Sequence, residues 1–265
     1  MIDLEGHAAL VTGSTKGVGR AIVEAFAEAG ADVIVHGRAL GPEAQQVINR
    51  CRAHGTKVSF VAADLLEPTQ RVVEDLFAAA VAALPNLDIL VNNAGQFFDV
   101  PFGEMTIERF EKTMRLNVTS GYFLAQRFAR HWMAGQVAGR ILFIGSINGQ
   151  LAEPISTAYD TSKGAVEMMV KTLAVALAPH NIRVNGLAPG FVRAHSTRWI
   201  DERPEDAAWI AYHTPNGQIP DADVCGPGAV YLVSDAARHV HGHMLMIDGG
   251  MNAWQHPLPP HQPPQ

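Results

Sequence analysis

Short apolar runs alternate along this chain with longer, alanine-rich stretches whose apolar positions recur with a helical period. A continuous apolar run of about four to eight residues suits a strand buried on both faces of a parallel sheet, and the longer stretches suit the helices that cross between such strands. The pattern predicts strands near 7–12, 31–36, 57–62, 87–92, 140–145, 182–188 and 243–247. Helices are predicted near 17–29, 42–54, 68–83, 106–134, 156–179 and 222–236. Regular alternation of this kind implies βαβ units. The expected fold is therefore α/β: a doubly wound parallel sheet of about seven strands with helices on both faces, in a single domain over residues 1–254. The helical stretches 106–134 and 156–179 carry apolar residues in several directions, as helices do when they face both a sheet and another subunit.

Two segments break the rhythm. Residues 190–220 gather Phe191, Trp199, Trp209 and Tyr212 with His195, His213, three arginines and Pro204, Pro215 and Pro220. A polar and aromatic insertion directly after a strand is expected to be a loop that covers a substrate. The tail 255–265 holds five prolines in eleven residues and is expected to form neither a regular helix nor a central strand.

Composition narrows the function classes. With 265 residues, 48% of them hydrophobic, the chain can bury a large core. A net charge of −6 without a long basic run gives no support to nucleic-acid binding. The first residues lack the basic and apolar regions of a signal peptide, and no apolar stretch approaches a membrane span. Cys51 and Cys225 form no metal or redox spacing, and a reduced cytoplasmic setting fits them best.

The first candidate chemistry lies between a strand and a helix, in Thr12-Gly13-Ser14-Thr15-Lys16-Gly17-Val18-Gly19. Glycines there allow a tight turn and let the backbone approach a pyrophosphate, while the following helix presents free N–H groups to negative charge. In strand–turn–helix context this points to dinucleotide binding of the Rossmann type. The second strand ends at Gly37, where an acidic residue would accept from the ribose 2′-hydroxyl of NAD. Gly37 carries no charge, and Arg38 beside it, with Lys16 in the first turn, can pair with a 2′-phosphate. These residues favour NADP(H), with NAD(H) as the alternative.

The second candidate is Tyr159-Asp160-Thr161-Ser162-Lys163, which begins thirteen residues after Ser146. Four residues apart on a helix, the phenol and the ammonium share a face. A phenol titrates near pH 10 and is a poor base at neutral pH, but a neighbouring cation stabilises its anion. Hydride transfer to a ketone builds charge on oxygen, so a hydrogen-bond donor and an acid must both reach that atom. Ser146 and Tyr159 supply both.

Taken together, these motifs resemble the short-chain dehydrogenase/reductase family in its compact single-domain branch. The match includes the Gly-rich turn T-G-x-x-x-G-x-G, Asp64, Asn92-Asn93-Ala94-Gly95 and Asn117. It continues through Ser146, Tyr159 with Lys163, Pro189-Gly190 and Asp248-Gly249-Gly250. The resemblance implies that Asp64 and Leu65 contact the adenine, and that Asn92, Ala94 and Gly95 pack against its ribose. It implies that Ser146 binds the substrate oxygen and that Tyr159 gives or takes the proton. Lys163 would bind the nicotinamide ribose and depress the tyrosine pKa, and Asn117 would hold a water through its backbone. Pro189, Gly190 and Val192 would line the nicotinamide. Assembly as a homotetramer, or a homodimer, is the family's habit.

Two features depart from the pattern. Ala194 stands where the family often has a threonine, with Ser196 and Thr197 as available substitutes. His239, His241 and His243 alternate like strand-borne metal ligands, but no further ligand set accompanies them, so no metal is expected. Around the expected substrate position lie Asn148, His195 and Trp199, which suit a small polar carbonyl or alcohol such as a sugar, sugar acid or polyol. The competing readings are an NAD(H)-dependent 3-oxoacyl or other carbonyl reductase, and a non-catalytic nucleotide-binding regulator. A missing Tyr159 or Lys163 would favour the regulator, and both are present.

Overall fold

A computed structural model describes residues 2–254; the proline-rich tail lies outside the described residues. Seven parallel strands form one sheet in the order β3-β2-β1-β4-β5-β6-β7. The strands are β1 (Ala8–Val11), β2 (Asp32–Gly37), β3 (Val58–Ala62), β4 (Ile89–Asn92), β5 (Arg140–Ile144), β6 (Arg183–Pro189) and β7 (Met244–Ile247). The helices are α1 (Gly17–Glu28), α2 (Pro42–Arg52), α3 (Thr69–Ala83), α4 (Ile107–Met114), α5 (Ser120–Gly135), α6 (Thr157–Leu177), α7 (Trp199–Glu202), α8 (Pro204–His213) and α9 (Cys225–Val233).

Successive residues of a strand point to opposite faces, so an uninterrupted apolar strand feeds two cores. In β1, Ala8 and Leu10 pack with Phe77 of α3, Phe128 and Trp132 of α5 and Val170 of α6. Ala9 and Val11 face the other way, among Ile22 and Phe26 of α1, Val47 of α2 and Ala229 of α9. Each fully buried large side chain, such as Phe26, Phe128 or Trp132, stabilises by about 1.5–3 kcal/mol. Trp132 also satisfies its indole N–H on the Leu87 carbonyl at 2.8 Å, so its burial leaves no donor stranded.

Three predicted elements differ from those observed. The helix expected over 106–134 is two helices, α4 and α5, joined by a π-helical turn at Arg115–Thr119. The wider turn is tied down by Asn117, whose side chain makes three hydrogen bonds that no sequence period reveals. The segment 190–220 is not a plain loop, because it folds α7 and α8 around Ile200, Ile210 and Ile219. Pro204 at the first position of α8, followed by Glu205 and Asp206, is a helix-start signal. The helix expected over 222–236 keeps α-geometry only in α9, with 3-10 turns at Ala222–Val224 and Asp235–Ala237.

Candidate active site

In an open parallel sheet a ligand crevice forms beyond the carboxyl ends of the strands, where the strand order reverses. That point here lies between β1 and β4. The Gly-rich turn leaves β1 at this place, with Gly13 and Gly17 at φ +62° and +58°. A Cβ on Gly19 would lie 2.5 Å from the Gly13 carbonyl oxygen, so only glycine lets α1 start this close to the turn. No side chain caps α1, which leaves the N–H groups of its first turn to the crevice.

The turn is held from three sides. Thr12 Oγ1 accepts the N–H groups of Asn93 and Ala94 at 3.0 and 3.1 Å, joining β1 to the segment after β4. Asn93 returns its amide to the carbonyls of Thr12 and Gly13. Ser14 Oγ accepts the His36 N–H at 2.9 Å and donates to the Val11 carbonyl at 2.7 Å. The Gly13 N–H donates to His36 Nδ1 at 2.9 Å, which requires that nitrogen to be unprotonated. Burial lowers the His36 pKa to about 4, against an opposing pull from Asp64, so the ring is a neutral acceptor at ordinary pH. His36 escaped the sequence reading; its signal is a polar side chain inside an apolar strand, immediately before Gly37.

The other predicted cofactor residues gather around this turn. Gly37 ends β2 next to Thr15, while Arg38 and Lys16 extend into solvent at the rim. Asp64 fixes its carboxylate on the Leu66 N–H at 3.0 Å, and Leu65 is buried beneath. Asn92 lines a cavity of about 10 Å³ together with Thr12, Asn117 and Lys163, and its Nδ2 finds no hydrogen-bond acceptor among the described residues. Ala94 and Gly95 continue from it, with the glycine close to Asn117. Across the crevice, Pro189 closes β6, Gly190 donates its N–H to the Ile247 carbonyl at 2.9 Å, and Val192 is buried.

The catalytic candidates converge. Ser146 follows β5 and caps a 3-10 turn at Ile147–Gly149. A Cβ on Gly149 would lie 3.1 Å from the Lys163 carbonyl, so the glycine lets this turn press against α6. Tyr159 and Lys163 are on the first turns of α6, and the Ser146 side chain is near enough to the Tyr159 hydroxyl to favour its anion. Lys163 is buried, and its Nζ donates to the Ile144 carbonyl at 2.7 Å. Asn117 grips the backbone of Gln96 through both amide atoms, at 2.9 and 2.8 Å, and donates to Ser162 Oγ at 2.9 Å.

The Lys163 ammonium is turned to the Ile144 carbonyl and lies 5.5 Å from the centre of the Tyr159 ring. Burial, seconded by Asp160 and Glu153, pushes Tyr159 up to about 12 against an opposing pull from the nearby Ser146. Burial also brings Lys163 down to about 8. Tyr159 is therefore an acid at neutral pH.

The predicted substrate residues are less closely grouped. Asn148 is 8% exposed, with its amide committed to Asp160 at 2.8 Å, so it is turned toward Ser146 and away from solvent. His195 is exposed in a cleft of about 230 Å³ beside Lys16 and Gly17, on the side of the Gly-rich turn. Trp199 is half-buried against Phe191, with ring centres 6.3 Å apart. At the atypical Ala194, Thr197 does not stand free as a substitute. Its hydroxyl accepts the Ala194 N–H at 2.9 Å and donates to the Val192 carbonyl at 2.6 Å. His239 and His243 are exposed, and no group of metal-ligating side chains occurs among the described residues.

The Gly-rich turn and the group of Ser146, Tyr159 and Lys163 thus lie together at the carboxyl edge of the sheet. A family model described as enoyl-(acyl carrier protein) reductase matches residues 13–252. Glucose 1-dehydrogenase 2 of Bacillus subtilis is 32% identical over 95% of this chain and 97% of its own. Gluconate 5-dehydrogenase of Gluconobacter oxydans is 33% identical, covering 95% and 96%. A solved gluconate 5-dehydrogenase from Burkholderia cenocepacia, in complex with NADP and tartrate, superposes with a TM-score of 0.89 at 31% identity, covering 96% of this chain and 98% of that one. The chain belongs to the short-chain dehydrogenase/reductase family.

Proposed function

We propose that this protein is an NADP(H)-dependent oxidoreductase that interconverts a carbonyl and an alcohol on a sugar acid or related small polyol. The observation that carries the reading is the convergence of Ser146, at the end of β5, with Tyr159 and a buried Lys163 one helical turn further along α6. The cradle suits a dinucleotide: its glycines leave space where side chains would clash, and the first turn of α1 has no side-chain cap. Gly13 to Gly19 and Asn92 to Gly95 would surround the phosphates and adenosine, with Asp64 and Leu65 at the adenine. Pro189, Gly190 and Val192 would face the nicotinamide, and Lys163 its ribose. Gly37 offers no carboxylate to a ribose hydroxyl, while Arg38 and Lys16 are exposed cations at that rim, which supports the phosphorylated cofactor.

Bound NADP(H) supplies or accepts the hydride. The chain's own residues handle the proton. Ser146 donates a hydrogen bond to the substrate oxygen, and Tyr159, protonated at neutral pH, delivers its proton there as charge develops. In the reverse direction the phenol must first lose that proton, which an ammonium released from Ile144 would favour. Asn117 holds the segment after Ala94 against α6 through Gln96 and Ser162.

The sugar-acid preference rests on the gluconate dehydrogenases to which the chain is similar and on the polar surroundings of Ser146. Residues 190–220, with Trp199 and His195, are the segment that would cover the substrate. Exposed Tyr122 and Phe123 on α5 and Met168 and Val175 on α6 support packing against further copies, as in a homotetramer. No described helix is long and apolar enough to cross a membrane, which is consistent with a cytoplasmic enzyme. The test is NADPH consumption with 5-ketogluconate, other keto-sugars and a 3-oxoacyl thioester. Wild type should act on a keto-sugar, and Tyr159→Phe should lose about 10²–10⁴-fold of that rate. Equal rates in the two proteins would end this reading. Fluorescence titration should show Arg38→Ser weakening NADPH about tenfold while NADH barely changes.

A further inference from the structure

Asp160, the residue after Tyr159, sits at the centre of a hydrogen-bonded array that the proton chemistry above does not use. Its Oδ1 accepts the Asn148 side-chain amide at 2.8 Å, and its Oδ2 accepts the Glu153 backbone N–H at 2.8 Å. Both donors belong to the segment that follows Ser146. Asp160 also lies in the first turn of α6, where the helix dipole stabilises a carboxylate. One side chain thus fastens the substrate-facing segment after β5 to the helix that carries the tyrosine.

The chemistry of the array gives it a direction. An ionised carboxylate can only accept, so Asn148 must turn its NH₂ toward Asp160. Its carbonyl oxygen then necessarily faces Ser146, whose hydroxyl lies 3.4 Å away, while the Asn148 N–H donates to Ser146 Oγ at 3.1 Å. Ser146 is therefore held from two directions by one buried asparagine, and the asparagine is oriented by Asp160. The 3.4 Å contact is long and weak, as suits a proton that must turn to a substrate oxygen when one arrives. Without the carboxylate, the Asn148 amide could flip and offer Ser146 a donor where it now offers an acceptor.

We propose that Asp160 is a positioning residue for the reaction, acting through the Asn148 amide to aim the Ser146 hydroxyl at the substrate oxygen. The proposal rests on the oxidoreductase reading above. The charged groups around it are Lys163 on the same helix, Glu153 after β5 and Asp99 after β4, the last two linked through Ser156 Oγ at 3.4 and 2.8 Å. Asp160 and Glu153 both raise the Tyr159 pKa, so loss of the Asp160 charge has a second signature besides misplacement of Ser146.

The experiment compares full-length wild type, Asp160→Asn, Asp160→Ala, Ser146→Ala and the double variant Ser146→Ala/Asp160→Ala, with Tyr159→Phe as baseline. The substrate is the carbonyl compound that wild type reduces fastest, at saturating NADPH. Asp160→Ala should lower kcat about 10–100-fold, as misplacing a group by about 1 Å can, while the Kd for NADPH changes less than about threefold. Asp160→Asn keeps one acceptor and should fall between. In the Ser146→Ala background, removing Asp160 should cost almost nothing further, because residues that act as a unit are not additive. In alcohol oxidation, both Asp160 variants should move the limb on which kcat rises as Tyr159 loses its proton to lower pH. A purely structural role predicts instead that activity, NADPH affinity and melting temperature fall together with no movement of that limb, and that result would overturn the proposal. So would a wild-type kcat in Asp160→Ala, or full additivity in the double variant. If Tyr159→Phe itself retains wild-type activity, the oxidoreductase reading fails first; if it is inactive while Asp160→Ala is normal, only the positioning role fails.

Discussion

The Gly-rich turn and the segment 190–220 face the same crevice but are built in opposite ways. Around the turn, Thr12, Ser14, His36 and Asn93 are tied to backbone groups through eight side-chain hydrogen bonds. Those side chains serve to fix main-chain N–H and carbonyl groups, so that in the proposed cradle the main chain would do the binding. In 190–220 the side chains that could touch a ligand, such as His195, Arg198 and Trp209, are exposed, and the local core consists of Ile200, Ile210 and Ile219 with a few half-buried neighbours. A phosphate is the same in every dinucleotide, so a backbone cradle suffices. A substrate is particular, so in the proposed function its recognition would fall to side chains on a segment that can change without disturbing the sheet.

The comparison can be broken at its rigid end first. Gly19→Val would place side-chain carbon against the Gly13 carbonyl oxygen, within 2.5 Å, and against Asn93. NADPH binding should become undetectable by fluorescence titration, and chemical denaturation should show a loss of about 2 kcal/mol or more. Normal affinity in this variant would mean that the turn is not the cradle.

His36→Leu is the next largest. It leaves the Gly13 N–H without its acceptor, at a cost of about 1–3 kcal/mol in stability. The variant should bind NADPH more weakly, whereas His36→Asn, which can offer an oxygen, should recover part of the loss. The pH dependence has a definite sign. With a folded pKa near 4, below the ordinary 6.5, the neutral ring stabilises the fold fully above pH 6.5, and this is lost as pH falls toward 4. Wild type should lose up to about 3 kcal/mol over that window from this one ring. Denaturation midpoints between pH 7 and 4 should fall less steeply in His36→Leu, and parallel curves would remove the acid sensitivity from this ring.

The smallest effect belongs to the adaptable end. Trp199→Ala removes the ring packed on Phe191. It should raise KM for the carbonyl substrate a few-fold, leave NADPH affinity unchanged and lower stability by about 1–2 kcal/mol, less than truncating a fully buried tryptophan. A large drop in NADPH affinity would show that the two regions are more strongly coupled than their construction implies.

How much of this was readable from the chain follows the same division. The parallel sheet was legible because strands such as β1, β4 and β5 are apolar runs that must be covered on both sides. The Gly-rich turn and the Ser146, Tyr159 and Lys163 set were legible because their chemistry demands particular residue types at short spacings. His36 was not, since its role depends on Gly13, twenty-three positions away and one strand over. The π turn depends on Asn117 reaching Gln96 and Ser162, contacts twenty-one and forty-five residues distant. Aromatic and charged residues in 190–220 masked the helices α7 and α8, whose small isoleucine core forms only after the chain has folded back on itself. The direction of Lys163 was likewise closed to a spacing argument: i and i+4 place two side chains on one face but do not say which carbonyl the ammonium takes.

The strand order also sets a schedule for synthesis. One partner of β1, β2, follows closely in the chain, but its other neighbour begins at Ile89, opposite Ala9. At about 5–20 residues per second, a ribosome needs roughly 4–16 s to deliver those eighty residues, far longer than a small hairpin or helix takes to form. Thr12 has no Asn93 or Ala94 to grip until then. The Gly-rich turn, although encoded within the first twenty residues, cannot gain these ties until more than a third of the polypeptide has been made.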